Sequence, residues 1–329
     1  MSSSATLVRL GRRLARVIPP LEWPIHARDL EEIEELKRRR HAVVLAHNYQ
    51  TPEIFHGAAD FTGDSLALAR RGAETDADVI VLAGVHFMAE TAKLLSPEKT
   101  ILIPDRDAGC SLASSITADD VRRLRHEHPG VPVVTYVNTS AAVKAESDVC
   151  CTSSNAVEVV ESLGVSRAIV IPDEYLARWI ASRTAVEIIS WGGRCEVHER
   201  FGAEDIRTFR AMHPGVRVLA HPECSGEVLR EADYVGSTSG MIADVATSGA
   251  AKVALVTECS MSDNVSVEFP DVEFVRPCNL CPHMKRITLP KIARSLREMT
   301  YAVEIDPDVA PRARAAVERM LAIGRGVSG

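Results

Sequence analysis

Three cysteines of the 329-residue chain, Cys110, Cys195 and Cys281, are separated by 85 and 86 positions. Each closes a short polar loop after an apolar run: PDRDAGC, WGGRC and RPCNLC. Shifting Cys150, Cys151, Cys224, Cys259 or Cys278 by the same period lands on no other cysteine. Three symmetry-related thiolates are a metal site by geometry, and soft thiolates select zinc, copper(I) or iron–sulfur. Three protein ligands leave a fourth position open, where a cluster iron can act as a Lewis acid. Two other cysteine patterns compete. Cys278-x-x-Cys281 with His283 resembles half a zinc site, but no second C-x-x-C pair closes it. Cys150–Cys151 is a vicinal pair, read most simply as two structural thiols facing opposite ways.

The same period governs a second set of residues. Segments 43–66, 133–156 and 218–241 each carry an apolar strand pattern that ends in His47, Tyr136 or His221, separated by 89 and 85. A Ser/Thr turn follows about seventeen residues later, at Ser65, Ser153 and Ser237–Thr238. Asn48, Asn138 and Glu223 lie one or two residues past the strand ends. Ligands of parallel α/β sheets bind outside the carboxyl ends of the strands. A helix N-terminus offers free N–H groups and a positive dipole end to anions. One such hydroxyl taken alone reads as a helix cap. Three in register, each with a strand-end acid/base residue, predict one shared polar pocket for a small molecule with two or three negative charges.

Positioning these residues requires a threefold repeat of strand and helix. Short, almost continuously apolar runs at 42–46, 79–83, 100–103, 131–137, 168–171, 186–189, 216–220, 253–256 and 272–275 read as parallel strands covered on both faces. Strand–helix alternation with right-handed crossovers gives a three-layer unit. The predicted fold is therefore α/β, with three similar αβα domains of short parallel sheets related by pseudo-threefold symmetry around a central active site. The expected divisions are an N-terminal segment and helix (1–40), repeats at 41–125, 126–208 and 209–288, and C-terminal helices packing on the body (289–329). The Gly/Pro-containing stretches 126–132 and 201–215 are the expected joints.

Composition narrows the function classes. Hydrophobic residues make up 46% and charged residues 25%, as in a globular protein, and the net charge is −7. Without a long Lys/Arg stripe, no nucleic-acid partner is expected, and no apolar run approaches a membrane span. Eight cysteines in a chain this long, with no apolar leader, do not form a disulfide framework, so a reducing cytoplasm is the expected compartment. The basic start, with Arg9, Arg12, Arg13 and Arg16, reads as a surface-docked or frayed segment.

At the level of motifs the chain resembles the quinolinate synthases. The segments LAHNYQ (45–50), GDSLALA (63–69), GVHFMAETAKLL (84–95), DAGCSLA (107–113) and TYVNTSAAVKAESDVCCTSSNA (135–156) carry the resemblance. So do GRCEVHERF (193–201), HPECS (221–225), GSTSGM (236–241) and NLCPHMKRITL (279–289). The resemblance implies three α/β domains around an oxygen-sensitive [4Fe–4S] cluster held by Cys110, Cys195 and Cys281. It implies condensation of iminoaspartate with dihydroxyacetone phosphate to quinolinate, phosphate and water, a step toward NAD. Transient contact with an iminoaspartate-producing enzyme goes with it. Tyr136 and Glu223 would be the main acid/base pair, with Tyr49 near the cluster and His198 completing the pocket wall. His47, Ser65, Asn138, Ser153, His221, Ser237 and Thr238 would hold carboxylates and phosphate. Some family members carry C-x-x-C-x-x-C in the last motif; here Val275 takes the first position, and Cys278 is expected to be an inert neighbour, the other reading being a partner in a regulatory disulfide. Two rival functions use the same thiolates: a non-catalytic iron–sulfur oxygen sensor and a zinc-dependent lyase.

Overall fold

The computed structural model describes residues 3–323; residues 1, 2 and 324–329 of the expected terminal segments lie outside them. Three parallel four-stranded sheets follow one another along the chain. The first contains β1 (Ala42–His47), β2 (Phe61–Gly63), β3 (Val79–Ala83) and β4 (Thr100–Leu102). The second contains β5 (Val133–Tyr136), β6 (Val149–Cys151), β7 (Arg167–Ile171) and β8 (Glu187–Ser190). The third contains β9 (Arg217–Ala220), β10 (Tyr234–Val235), β11 (Lys252–Val256) and β12 (Glu273–Val275). Their spatial orders are β2-β1-β3-β4, β6-β5-β7-β8 and β10-β9-β11-β12, the same topology three times. This is the α/β architecture of three αβα units expected from the repeat.

The central strands form where Val, Ile, Leu and Ala run without a polar break; β3 is buried along its whole length. Side-chain caps start several helices. Asp64 Oδ1 accepts from Ala67 N at 2.9 Å and opens the helix Ser65–Glu74. Thr117 and Asp120 form a capping box at the start of Ala118–Glu127.

Several elements depart from the expectations above. The edge strands β2, β6 and β10 are two or three residues long, too short to announce themselves by pattern. The stretch 201–215, expected to be a joint, contains the helix Ala203–Met212. Gly202 before it and Pro214 after it punctuate that helix rather than replace it. Helix Thr238–Thr247 begins three residues earlier than its apolar pattern, because Ser237 caps it. Cys278 is bonded to Cys259 rather than standing inert. The N–H of Cys259 donates to the Asn279 carbonyl at 3.1 Å, which brings the two chain segments side by side.

The terminal segments brace the body. The basic start forms the helix Ser3–Leu14 and docks on the third unit, with Arg13 on Glu268 at 2.5 Å and Arg16 on the Pro270 carbonyl at 3.1 Å. Helix Leu289–Glu298 packs on Trp23–Arg40. Helix Ala310–Ala322 packs against Ala141–Ala145, β6 and His86–Leu95, strapping the second unit to the first. The largest apolar cluster accordingly spans those two units and the C-terminal helices. The sheet of the third unit has its own clusters on its two faces. No helix among the described residues is long and apolar enough to cross a membrane.

Candidate active site

The sheet order of each unit places its topological switch point between its first and third strands, where a parallel α/β sheet opens a crevice. His47 ends β1, Tyr136 ends β5, and His221 directly follows β9. All three are buried and line one central cavity that takes residues from all three units.

Two of these strand ends share a local turn. The N–H of Tyr49 donates to His47 Nδ1 at 3.2 Å, and the N–H of Glu223 donates to His221 Nδ1 at 3.3 Å. With Nδ1 committed as an acceptor, each neutral imidazole carries its proton on Nε2. Burial lowers His47 to about 4 and His221 to about 3, so both are neutral at physiological pH. The repeat thus supplies two uncharged N–H donors in fixed tautomers.

Glu223, 4% exposed, is the electrostatic centre. Tyr136 donates its phenolic hydrogen to Glu223 Oε1 at 2.6 Å, and His198 Nδ1 lies 2.8 Å from Oε2. Burial alone would raise this carboxyl, but His198 beside it and the hydrogen bonds from His198 and Tyr136 hold it below the ordinary range. Burial and the neighbouring Glu223 charge push Tyr136 well above the usual phenol value. Tyr49 is raised in the same direction for the same two reasons. The pair is therefore a carboxylate and a protonated phenol across a short hydrogen bond, an arrangement suited to proton transfer.

The three spaced cysteines reach the same cavity. Cys110 precedes the helix Ser111–Ser114, Cys195 lies between β8 and the turn His198–Arg200, and Cys281 lies between β12 and the turn Met284–Arg286. All three are free and half-buried. Burial raises all three thiols, Cys110 to about 12, and the fields of Glu223 and of one another add to this at Cys110 and Cys195. A neutral thiol is a poor ligand, so only a strongly bound cation would draw out their protons. Hydrogen bonds tie the loops that carry them. Ser111 Oγ donates to the Arg194 carbonyl at 3.3 Å and accepts from Glu196 N at 3.1 Å, while Glu196 meets His283 at 2.9 Å. The Cys281 N–H donates to the buried Glu258 at 3.3 Å. One soft donor from each unit, braced by its neighbours, fits a thiolate-held metal centre. A second set overlaps it: ligand atoms of Cys195, His198 and Glu223 lie within 4.8 Å of one another.

The hydroxyl turns divide in role. Ser65, Ser153, Asn138 and Thr238 line the cavity. Ser237 does not; its hydroxyl accepts from Gly240 N at 3.2 Å and caps the following helix. Ser65 is the first residue of its helix, capped by Asp64, and Ser153 stands two residues before the cap Asn155. Tyr49 and His198 are both present at the cavity, joined through the buried Thr257 hydroxyl at 2.6 and 2.9 Å.

Sequence reasoning missed three contributors. Asp64 Oδ2 accepts from Ser154 at 2.8 Å and Ser239 at 2.7 Å, clasping the turns of all three units. Lys285 joins Glu258 to the Tyr49 carbonyl, at 2.9 and 2.6 Å. Thr257 was discoverable, because it follows the middle strand of its unit in phase with Gly84 and Pro172, spaced by 88 and 85.

A threefold α/β body with a phenol–carboxylate pair and three free thiols at one cavity has the build of an enzyme site able to hold a metal. The family model for NadA, quinolinate synthetase A protein, matches residues 31–322. Quinolinate synthase 1 of Mesorhizobium japonicum is 66% identical over 321 residues, 98% of each chain. Quinolinate synthase of Agrobacterium fabrum is 66% identical over 94% of this chain and 90% of its own. That of Caulobacter vibrioides is 58% identical over 92% and 84%. The chain belongs to the quinolinate synthase family, enzymes of NAD biosynthesis.

Proposed function

We propose that this chain condenses iminoaspartate with dihydroxyacetone phosphate to quinolinate, phosphate and water, with a [4Fe–4S] cluster held by Cys110, Cys195 and Cys281. The observation that carries the reading is the meeting of those three free thiols with the Tyr136–Glu223 pair at one cavity. When bound, the cluster supplies a Lewis acid with one position left for substrate.

The remaining roles belong to the protein. Glu223 takes a proton from substrate carbon or nitrogen, and Tyr136 gives one to the departing oxygen, across their shared hydrogen bond. No Lys or Arg lines the cavity among the described residues. Anionic groups of the substrates are then held by neutral donors: the Nε2–H of His47 and His221, Asn138, and the hydroxyls of Ser65, Ser153 and Thr238. Ser65 and Thr238 also stand at the N-termini of ten-residue helices, whose dipoles favour negative charge. Tyr49 completes the wall beside the metal ligands and His198 holds Glu223 in place.

The overlapping ligand set of Cys195, His198 and Glu223 supports a second reading, a zinc lyase. One experiment separates the two. Anaerobically reconstituted protein is given both substrates, quinolinate is quantified, and bound metal is measured. Quinolinate formation that tracks iron and sulfide supports the first reading. Turnover that tracks zinc, or a fully loaded cluster with no quinolinate, overturns it.

A further inference from the structure

Thr257 is fully buried, follows β11 directly, and stands at the switch point of the third unit beside His221. The strand registers give its counterparts: Gly84 beside His47 and Pro172 beside Tyr136. Neither counterpart has a side-chain hydrogen-bonding group, so the third unit departs from its own repeat at this position. The departure coincides with a contact that joins all three units. The Thr257 hydroxyl lies 2.6 Å from Tyr49 Oη of the first unit and 2.9 Å from His198 Nε2 of the second.

The contacts form a chain. Tyr49 Oη meets Thr257 Oγ1, Thr257 Oγ1 meets His198 Nε2, and His198 Nδ1 lies 2.8 Å from Glu223 Oε2 and 3.1 Å from Cys195 Sγ. Tyr136 reaches the same carboxyl group from the other side at 2.6 Å. A hydroxyl has one hydrogen to give and lone pairs to accept with, so Thr257 serves both neighbours at once whichever way the two bonds run. It ties the Tyr49 oxygen and the His198 ring to one buried point.

We propose that Thr257 is a positioning residue for the reaction, orienting Tyr49 and His198 through one hydroxyl. The proposal rests on the quinolinate-forming reading for its kinetic arm and on the geometry alone for its spectroscopic arm. Thr257→Val keeps the branched shape and removes the hydroxyl; Thr257→Ser keeps the hydroxyl. Loss of a buried hydrogen-bond partner on both sides predicts a fall in kcat of about 10–100-fold for Thr257→Val, with recovery to within about threefold in Thr257→Ser. Iron content is unchanged in both. Because Thr257 acts through Tyr49, Thr257→Val costs less than about threefold when Tyr49→Phe is already in place. In the full chain labelled with 15N-histidine, Thr257→Val moves the His198 Nε2 resonance and Thr257→Ser does not.

Wild-type activity in Thr257→Val, or full additivity with Tyr49→Phe, would overturn the proposal. So would a Thr257→Val protein that no longer folds or holds iron while Thr257→Ser does, since the hydroxyl would then be structural. A wild type that makes no quinolinate would count against the proposed reaction instead, and the histidine spectra would still decide the role of Thr257. An unmoved His198 resonance refutes it.

Discussion

Glu223→Gln is the sharpest perturbation of the acid–base centre. The amide preserves shape, but one acceptor oxygen becomes an NH2 donor. Tyr136 at 2.6 Å and His198 at 2.8 Å each meet one carboxylate oxygen, so the amide keeps one acceptor for them, and Tyr136 must turn its hydrogen away to accept from the new NH2 if His198 keeps the oxygen. The lost charge-assisted bond costs about 1.5–3 kcal/mol at this buried site. A base removed from the reacting centre costs about 10²–10⁴-fold in kcat, or roughly 3–5 kcal/mol of barrier. The assay is initial-rate quinolinate formation on anaerobic protein, with iron and sulfide measured on the same sample. The expected result is a kcat down by at least about a hundredfold with the metal content of wild type. A variant within about threefold of wild type would refute the assignment of Glu223 as the base. Loss of iron together with activity would refute it differently, by moving Glu223 into the metal-binding set with Cys195 and His198.

Two further perturbations test the packing around the site. His56 has a side chain only 4% exposed, and its Nε2 has no hydrogen-bond partner among the described residues. Burial and then the Arg13 charge lower it to about 4. Between pH 6.5 and 4 the unfolded chain binds a proton that the folded chain refuses, so stability declines as pH falls through that window. His56→Leu should flatten the decline by about 1.4 kcal/mol per pH unit, read by denaturant unfolding from about pH 7 to 4.5; an unchanged slope contradicts the burial argument. Lys144 is fully buried and donates Nζ to the Val137 and Thr139 carbonyls that flank Asn138. Lys144→Met strands both carbonyls and should cost about 2–4 kcal/mol of unfolding free energy while leaving iron binding intact. A cost below about 0.5 kcal/mol would mean that those carbonyls find other partners.

How far the sequence speaks depends on the distance over which each feature is encoded. Parallel strands buried on both faces are locally written, so β1, β3, β5, β7, β9 and β11 are legible as apolar runs. Their spacing makes His47, Tyr136, His221 and the cysteine triple visible as a set from the sequence alone. The edge strands β2, β6 and β10 are not legible because two or three residues carry no period; they form only where a neighbouring strand offers its backbone. Asp64, Lys285 and the Cys259–Cys278 bond are equally hidden. Asp64 acts through Ser154 and Ser239, 90 and 175 residues away, and no local pattern records such a contact. Ser237 shows the opposite error. Its phase matches the other turns, but its hydroxyl caps a helix, and Thr238, one residue on, faces the cavity.

The central claim is that Cys110, Cys195 and Cys281 hold a cluster beside the Tyr136–Glu223 pair. Its most direct test is iron and acid-labile sulfide per chain after anaerobic preparation, for wild type and for single alanine variants of those three cysteines and of Cys278. Cys278 is bonded to Cys259 and stands outside the cavity lining, so it serves as the control. The account predicts about four iron and four sulfide in wild type and in Cys278→Ala, and loss of both in each of the other three. Cluster retained without Cys281 but lost without Cys278, or no iron in any protein after reconstitution, would contradict it.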